Sequence, residues 1–364
     1  MSGKSVLKMA LIVVLIGLLA ISIETRNSAE LSGTVYIRAD GSVEGTAKIV
    51  SADNVTYTFI DDFNVSVVVE RSDITIDGNS HAVQGGPAGN GLTLSHVHNV
   101  TVKNMKIGSF YNCIWLNCSS GNALVGNNIE GAFNDILETE SNNNMVVGNN
   151  ITNAITSIRL DQSNGSIIFH NNFIHQDGEE IINSSASSWD NGFEGNYWDD
   201  YFSRYNVTDS DHDGIGDTPY PLQGGFTGDT PYDNYPLMGM FSDFNDIQTI
   251  CNSSISDFQS SETAIRFNVS GENDTSGFCR IRIPTSLING SYRVFVGGTE
   301  VSYNLLPCSN ETYSYLYFSY THSTREVIVT PEFPTFLILL LFMTATLLAV
   351  IVYGRKLLRA REKR

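Results

Sequence analysis

Basic side chains are scarce: 21 Lys and Arg stand against 39 Asp and Glu in 364 residues. Six of the basic residues fall between Arg355 and Arg364 with one acid, so the rest of the chain carries about −23 of the total −18. So acidic a surface excludes nucleic acid as a partner and suits cations or a salty exterior. Cysteine is also sparse, at Cys113, Cys118, Cys251, Cys279 and Cys308, and none has CxxC metal spacing. An odd count outside the cell leaves at least one thiol unpaired. Cys113 and Cys118 flank one strand segment and are placed to close a small loop. Among Cys251, Cys279 and Cys308 any one pair can bridge, and buried free thiols fit equally well.

Long apolar runs are confined to the two ends. Lys4 and Lys8 precede a run from Met9 to Ile23, the layout of a signal peptide or signal-anchor over residues 1–30. Thr335 to Tyr353 is 19 residues without a charge, long enough to cross a bilayer as a helix. The basic tail at 355–364 follows at once and assigns that end to the cytoplasm. The expected topology is a single-pass cell-surface protein, with a transmembrane helix at 331–354 and its bulk outside. Dense N-x-[ST] sequons, among them Asn54, Asn64, Asn99, Asn117 and Asn206, agree with an exported glycoprotein.

What the chain has in quantity is a repeat. Gly126-Asn127-Asn128-Ile129, Gly148-Asn149-Asn150-Ile151 and His170-Asn171-Asn172-Phe173 are spaced by 22 residues. Val125, Val147 and Phe169 precede the pair in register, and Phe133 is matched by Ile155 as Ile136 is by Ile158. A β-rich period in the low twenties is a solenoid signature. Stacked coils pair strand on strand about 4.8 Å apart, and an asparagine at one corner of each coil can bond to the asparagine of the next. Gly78-Asn79 and Asn104 are expected at the corner of Asn127, with about six coils between residues 73 and 200. The fold class is therefore all-β: a right-handed parallel β-helix over 31–203 whose residues 31–73 form an N-terminal cap. Aromatics at Trp189, Phe193, Tyr197, Trp198 and Tyr201 would plug its far end or form a glycan-stacking platform. An Asp/Gly-rich loop and cap at 204–243 follow. Short strand-like runs over 244–330, separated by turn signals, suggest a small β-sandwich stalk.

Candidate chemistry is concentrated in one place. Asp209-Ser-Asp211-His-Asp213-Gly-Ile215-Gly-Asp217 is the front half of a calcium loop. Carboxylates at Asp209, Asp211, Asp213 and Asp217 and the Ile215 carbonyl would clamp a structural calcium. The closing glutamate is absent, since Tyr220 stands at position twelve, and Asp200, Asp229 or Asp233 would complete the shell. His96 and His98, two apart, would share a strand face and could hold copper or zinc, whereas His81, His170 and His175 are scattered. The coils hold few acids (Glu130, Asp135, Glu138, Glu140, Asp161, Asp177, Glu179, Glu180) and almost no basic residue besides Arg159. A polysaccharide-active enzyme would need Asp135, Asp161 and Arg159 in one cleft.

Gly195-Asn-Tyr-Trp-Asp-Asp-Tyr201, Asp209 to Asp217, Gly216-Asp-Thr-Pro-Tyr220 and Asp233-Asn-Tyr-Pro-Leu237 resemble the C-terminal end of NosD-like β-helix proteins. Those carry repeats also called carbohydrate-binding and sugar-hydrolysis domains. Thr34 to Ser42, Val68-Val-Glu-Arg71 and Pro331-Glu-Phe-Pro334 before an apolar run resemble archaeal surface proteins. The resemblance implies a right-handed β-helix. For NosD proper it implies maturation of a copper site, but no Cys/Met/His cluster carries copper over here. The expected function is non-catalytic binding of glycans or neighbouring surface proteins with a structural calcium site. The alternatives are a β-helix lyase, hydrolase or epimerase, and a copper-handling protein.

Overall fold

A computed structural model describes residues 33–175, 179–183, 186–222, 230–332, 342–353 and 355. The leader at 1–30, Asp177, Asp229, the start of the apolar run at Thr335 and the basic tail beyond Arg355 lie outside the described residues. Among the described residues no helix is long and apolar enough to cross a membrane. Residues 342–353 are helical, with exposed apolar side chains such as Phe342, Leu347 and Val350. The chain forms two compact units, one of residues 1–191 and 221–233, the other of 192–220 and 234–364.

The first unit is a parallel β-helix. One sheet stacks Val35–Ile37, Val67–Val69, Asn90–Ser95, Asn112–Asn117, Asn134–Thr139, Thr156–Asp161 and Glu179–Asn183 in parallel. A second stacks Thr56–Phe59, Ile74–Asp77, Val100–Lys103, Ala123–Val125, Met145–Val147 and Ile167–Phe169. A third stacks Ala82–Gln84, Lys106–Gly108, Asn128–Glu130, Asn150–Thr152 and Asn172–Ile174. Residues 31–73, expected as a cover, thus supply parallel strands of the first coils themselves. Antiparallel Val43–Glu44 and Ile49–Val50 are the outermost strands of the first and second sheets, and edges this short offer little template for another chain.

The period is built from four corners of left-handed backbone, each recurring every 22 residues. One column is His96, Cys118, Glu140 and Gln162, and the next is Asn99, Gly121, Asn143 and Gly165. Asn104, Gly126, Gly148 and His170 follow, then Ser109, Gly131, Asn153 and His175. Glycine takes this conformation freely, and Asn and His are enriched there among the others. Between the corners the paired asparagines run as two ladders. Asn127, Asn149 and Asn171 point inward and are buried. The Asn149 Oδ1 accepts from Asn127 N and Nδ2, both at 2.9 Å, and Asn127 Nδ2 also donates to the Val102 carbonyl at 3.0 Å. The second asparagines form the other ladder, Asn150 to Asn128 at 2.8 Å and Asn172 to Asn150 at 2.7 Å, running from exposed Asn128 to buried Asn172.

This register corrects one expectation and settles the facing of two hydrophobic columns. Val125 lies opposite Lys103, so Asn104 is the counterpart of Gly126 rather than of Asn127. Met105 holds the ladder position, its N–H capped by Asn127 Oδ1 at 3.0 Å. Phe133 and Ile155 face outward with Tyr111, and the smaller Phe110, Ala132 and Ala154 column is the buried one at that corner. Leu124, Val146 and Ile168 fill the core where Val125, Val147 and Phe169 are only half-buried.

In the second unit two five-stranded antiparallel sheets enclose one core. The first is ordered Met240–Phe244, Ile247–Cys251, Ser276–Pro284, Tyr313–Thr321, Asn304–Leu305. The second is ordered Ser254–Ser260, Ile265–Ser270, Arg325–Pro331, Tyr292–Val296, Thr299–Val301. Alternation turns Cys279, Ile281 and Ile283 inward and Phe278, Arg280 and Arg282 outward. The outer face carries a smaller cluster of Leu237, Phe241, Ile250 and Phe278, joined by Tyr197 and Ile215. Trp198 stacks on Tyr220 with centroids 4.4 Å apart, and Tyr201 and Tyr205 meet Tyr220 edge-on. Trp198 and Tyr201 are therefore buried and present no platform for a sugar, whereas Phe193 stays exposed.

Candidate metal site

The acidic loop brings together Asp209, Asp211 and Asp213, one carboxylate oxygen of each lying within 4.8 Å of the others. Its shape follows from its own hydrogen bonds. Asp209 accepts from Asp213 N at 3.0 Å and Gly214 N at 3.1 Å, and Asp213 accepts from Ile215 N at 2.8 Å. His212 and Gly214 take left-handed φ of 54° and 82°, the sharp turn that glycine permits. Outside the loop, Ile215 enters the outer-face cluster and His212 stacks on Tyr317 at 6.0 Å. The strands bearing Arg280 and Tyr317 therefore form the loop's seat.

One of the expected carboxylates lies outside the cluster. Asp217 accepts from Thr208 Oγ1 at 2.9 Å, Ser210 N at 3.0 Å and Ser210 Oγ at 2.7 Å. Those bonds hold its pKa below the usual carboxylate range, and it ties the base of the loop outside the cluster of three. The antiparallel bridge of Ile215 to Leu237 is made through Gly214 O and Gly216 N and does not use the Ile215 carbonyl. Asp200 is engaged by Arg204 and by the Tyr220 hydroxyl.

The setting disfavours the charged form of these carboxylates. Burial pushes Asp213 up to about 6, and Asp211 and Asp209 add to the shift while Ile215 N–H and Arg280 oppose it. Burial also raises Asp209. Half-buried carboxylates this close relieve repulsion by holding protons or by sharing a metal ion. An all-oxygen donor set suits a hard cation.

The other candidates disperse. Asp135 is fully buried, whereas Asp161 is half-buried and ion-paired with Arg159 at 2.9 Å, so the three share no exposed cleft. His96 sits on a left-handed corner rather than alternating with His98 along a strand. His96 contacts Ser95 at 3.1 Å, while His98 contacts Ser72 at 3.1 Å. Glu138 is the acid whose environment the sequence concealed. It lies between Leu116 and Leu160 in register, fully buried. The 22-residue spacing from those leucines was the signal that could have found it.

The outward face of the third sheet is a groove of about 300 Å³, lined by Gln84, Lys106, Asn128, Glu130, Asn150 and Thr152 among others. The second asparagine ladder runs through it. Tyr111 and Phe133 stack on each other at 4.8 Å and 6° just past the next corner. That arrangement covers the facing ring surfaces.

A family model described as Periplasmic copper-binding protein (NosD) matches residues 21–211, more than half of the 364 residues. The chain belongs to the NosD family. In this NosD-family chain the match takes in the whole described solenoid up to Asn191 and stops inside the acidic loop, after Asp211 and before Asp213. Among solved structures, the Dettilon tailspike protein (gp208) is similar at 11% identity with a TM-score of 0.23. That alignment covers 72% of this chain and 64% of the tailspike chain, so this chain spans less than two thirds of it. No curated protein matches the NosD-family chain.

Proposed function

We propose that this NosD-family protein is a membrane-anchored surface protein, without catalytic activity, that binds glycans or neighbouring surface proteins along its solenoid. The observation that carries this reading is the groove on the third sheet, where amide side chains recur at the coil spacing beside Lys106 and Glu130. Repeated amide donors and acceptors with one charge of each sign suit the hydroxyls of an extended polysaccharide better than an apolar ligand. The two-sheet unit is read as a β-sandwich stalk, and the apolar run to Tyr353 with its basic tail as the anchor. Calcium at Asp209, Asp211 and Asp213 would be structural, clamping the loop on the stalk.

Copper, named in the family's description, fits this chain poorly. Among the described residues the one cluster of three metal-ligating side chains is carboxylate only, whereas copper favours imidazole and sulfur. Binding to an array of purified polysaccharides tests the groove. Lys106→Ala with Asn128→Ala is expected to weaken the strongest binder about tenfold, the scale of one or two polar contacts. A binder indifferent to both substitutions would overturn the assignment of this face. Retention of a form truncated after residue 332 in the membrane fraction would overturn the anchor.

A further inference from the structure

We infer that Cys251 and Cys279 form a disulfide, and that neither pairs with Cys308. Cys251 lies directly opposite Cys279 in the antiparallel ladder between Ile247–Cys251 and Ser276–Pro284. Residues directly opposite in such a ladder have Cα atoms about 4.5 or 5.5 Å apart, inside the roughly 4.4–6.8 Å span of disulfides. Opposed residues share a sheet face, and both thiols are buried in the same core cluster. Cys308 is on the other side. Its Sγ lies 3.8 Å from Arg280 Nη2, and Arg280 follows Cys279 in the strand, so alternation sends it to the outer face. The β-helix thiols are excluded by distance from each other. Cys113 and Cys118 are five residues apart along an extended strand, about 15 Å, against a limit of roughly 7 Å.

The surroundings tolerate the bond. Cys251 Sγ donates to the Phe278 carbonyl at 3.1 Å, a bond lost on oxidation. The Tyr320 hydroxyl, 3.4 Å from the same carbonyl, remains to serve it. Because both sulfurs are buried, the bond forms as the strands pair during folding. One cysteine thiolate attacks the disulfide of an oxidant, a disulfide-bearing oxidoreductase or small molecule, giving a mixed disulfide and one released thiol. The second cysteine thiolate displaces the other half. The protein gains one S–S bond while the oxidant is reduced to two thiols. An extracellular site supplies such oxidants, and the geometric part of the inference does not depend on that location.

The test refolds the reduced full chain in a buffer of oxidised and reduced glutathione, alkylates it, and maps tryptic peptides without reduction. Trypsin separates the pair at Arg266. The expected result is a Cys251–Cys279 linkage and two fewer free thiols than the five cysteines. Reduction, or Cys251→Ala with Cys279→Ala, should lower the unfolding midpoint of this unit by on the order of 10 °C. Five alkylated cysteines, or a linkage to Cys308, would overturn the pairing. The linkage in refolded protein but five free thiols in protein alkylated within intact cells would overturn its presence in the native compartment, and the extracellular reading with it.

Discussion

Glu138 interrupts a column of leucines. Leu94, Leu116 and Leu160 stack in register with it through the interior of the solenoid, and all four are fully buried. Burial raises its carboxyl to about 7, against a hydrogen bond from Ser166 Oγ at 2.8 Å. Between the unfolded value near 4.5 and the folded value the native protein holds a proton that the unfolded chain has released. Stability therefore falls as pH rises across that window. From about pH 5 to about pH 8 this single group lowers stability by roughly 2–3 kcal/mol. Asp135, pushed by burial up to about 8, adds a slope of the same sign. Denaturant unfolding of the full chain, Glu138→Gln and Glu138→Leu at both pH values isolates the Glu138 part. Glu138→Gln keeps acceptor and shape and should remove about 2–3 kcal/mol of the pH dependence. Glu138→Leu completes the column and should be more stable than the native protein at the higher pH by about 2–4 kcal/mol, the lost Ser166 bond offsetting part of the gain. Parallel pH profiles for native protein and Glu138→Gln would refute the reasoning.

The remaining expectations are shorter. Asn149→Ala strands the Asn127 N–H and the Leu124 carbonyl inside the solenoid, and should cost about 2–4 kcal/mol. Asn150→Ala breaks second-ladder bonds only and should cost about 1 kcal/mol or less, as denaturant titration would read. Calcium should raise the thermal midpoint of the second unit, with the shift abolished by Asp211→Ala with Asp213→Ala. Because Asp213 must lose a proton held up to about 6, calcium affinity measured by calorimetry should strengthen as pH rises through that value. Affinity independent of pH there would remove Asp213 from the ligand set. Gly214→Ala, at φ of 82° and 3.4 Å from Arg280 Cβ, should cost about 1–2 kcal/mol and weaken any bound cation.

The coil period, the asparagine ladders and the parallel stacking were legible in the chain. A solenoid repeats by translation, so residues 22 apart in sequence become neighbours in space and the pattern states its own contacts. Hydrophobic content alone left the facing of each residue open, because a coil alternates sides and resets at every corner. Only the folded register turned Ala132 and Ala154 inward and Phe133 and Ile155 outward, and set Glu138 in a leucine column. The acidic loop was legible as four carboxylates about one turn, since its bonds are local, and the fold brings three of them together. Its seat on Arg280 and Tyr317 was not, because strands of an antiparallel sheet meet at separations no period announces. The same holds for Cys251 and Cys279. Composition left three pairings open, and the ladder between two non-repeating strands placed one pair face to face.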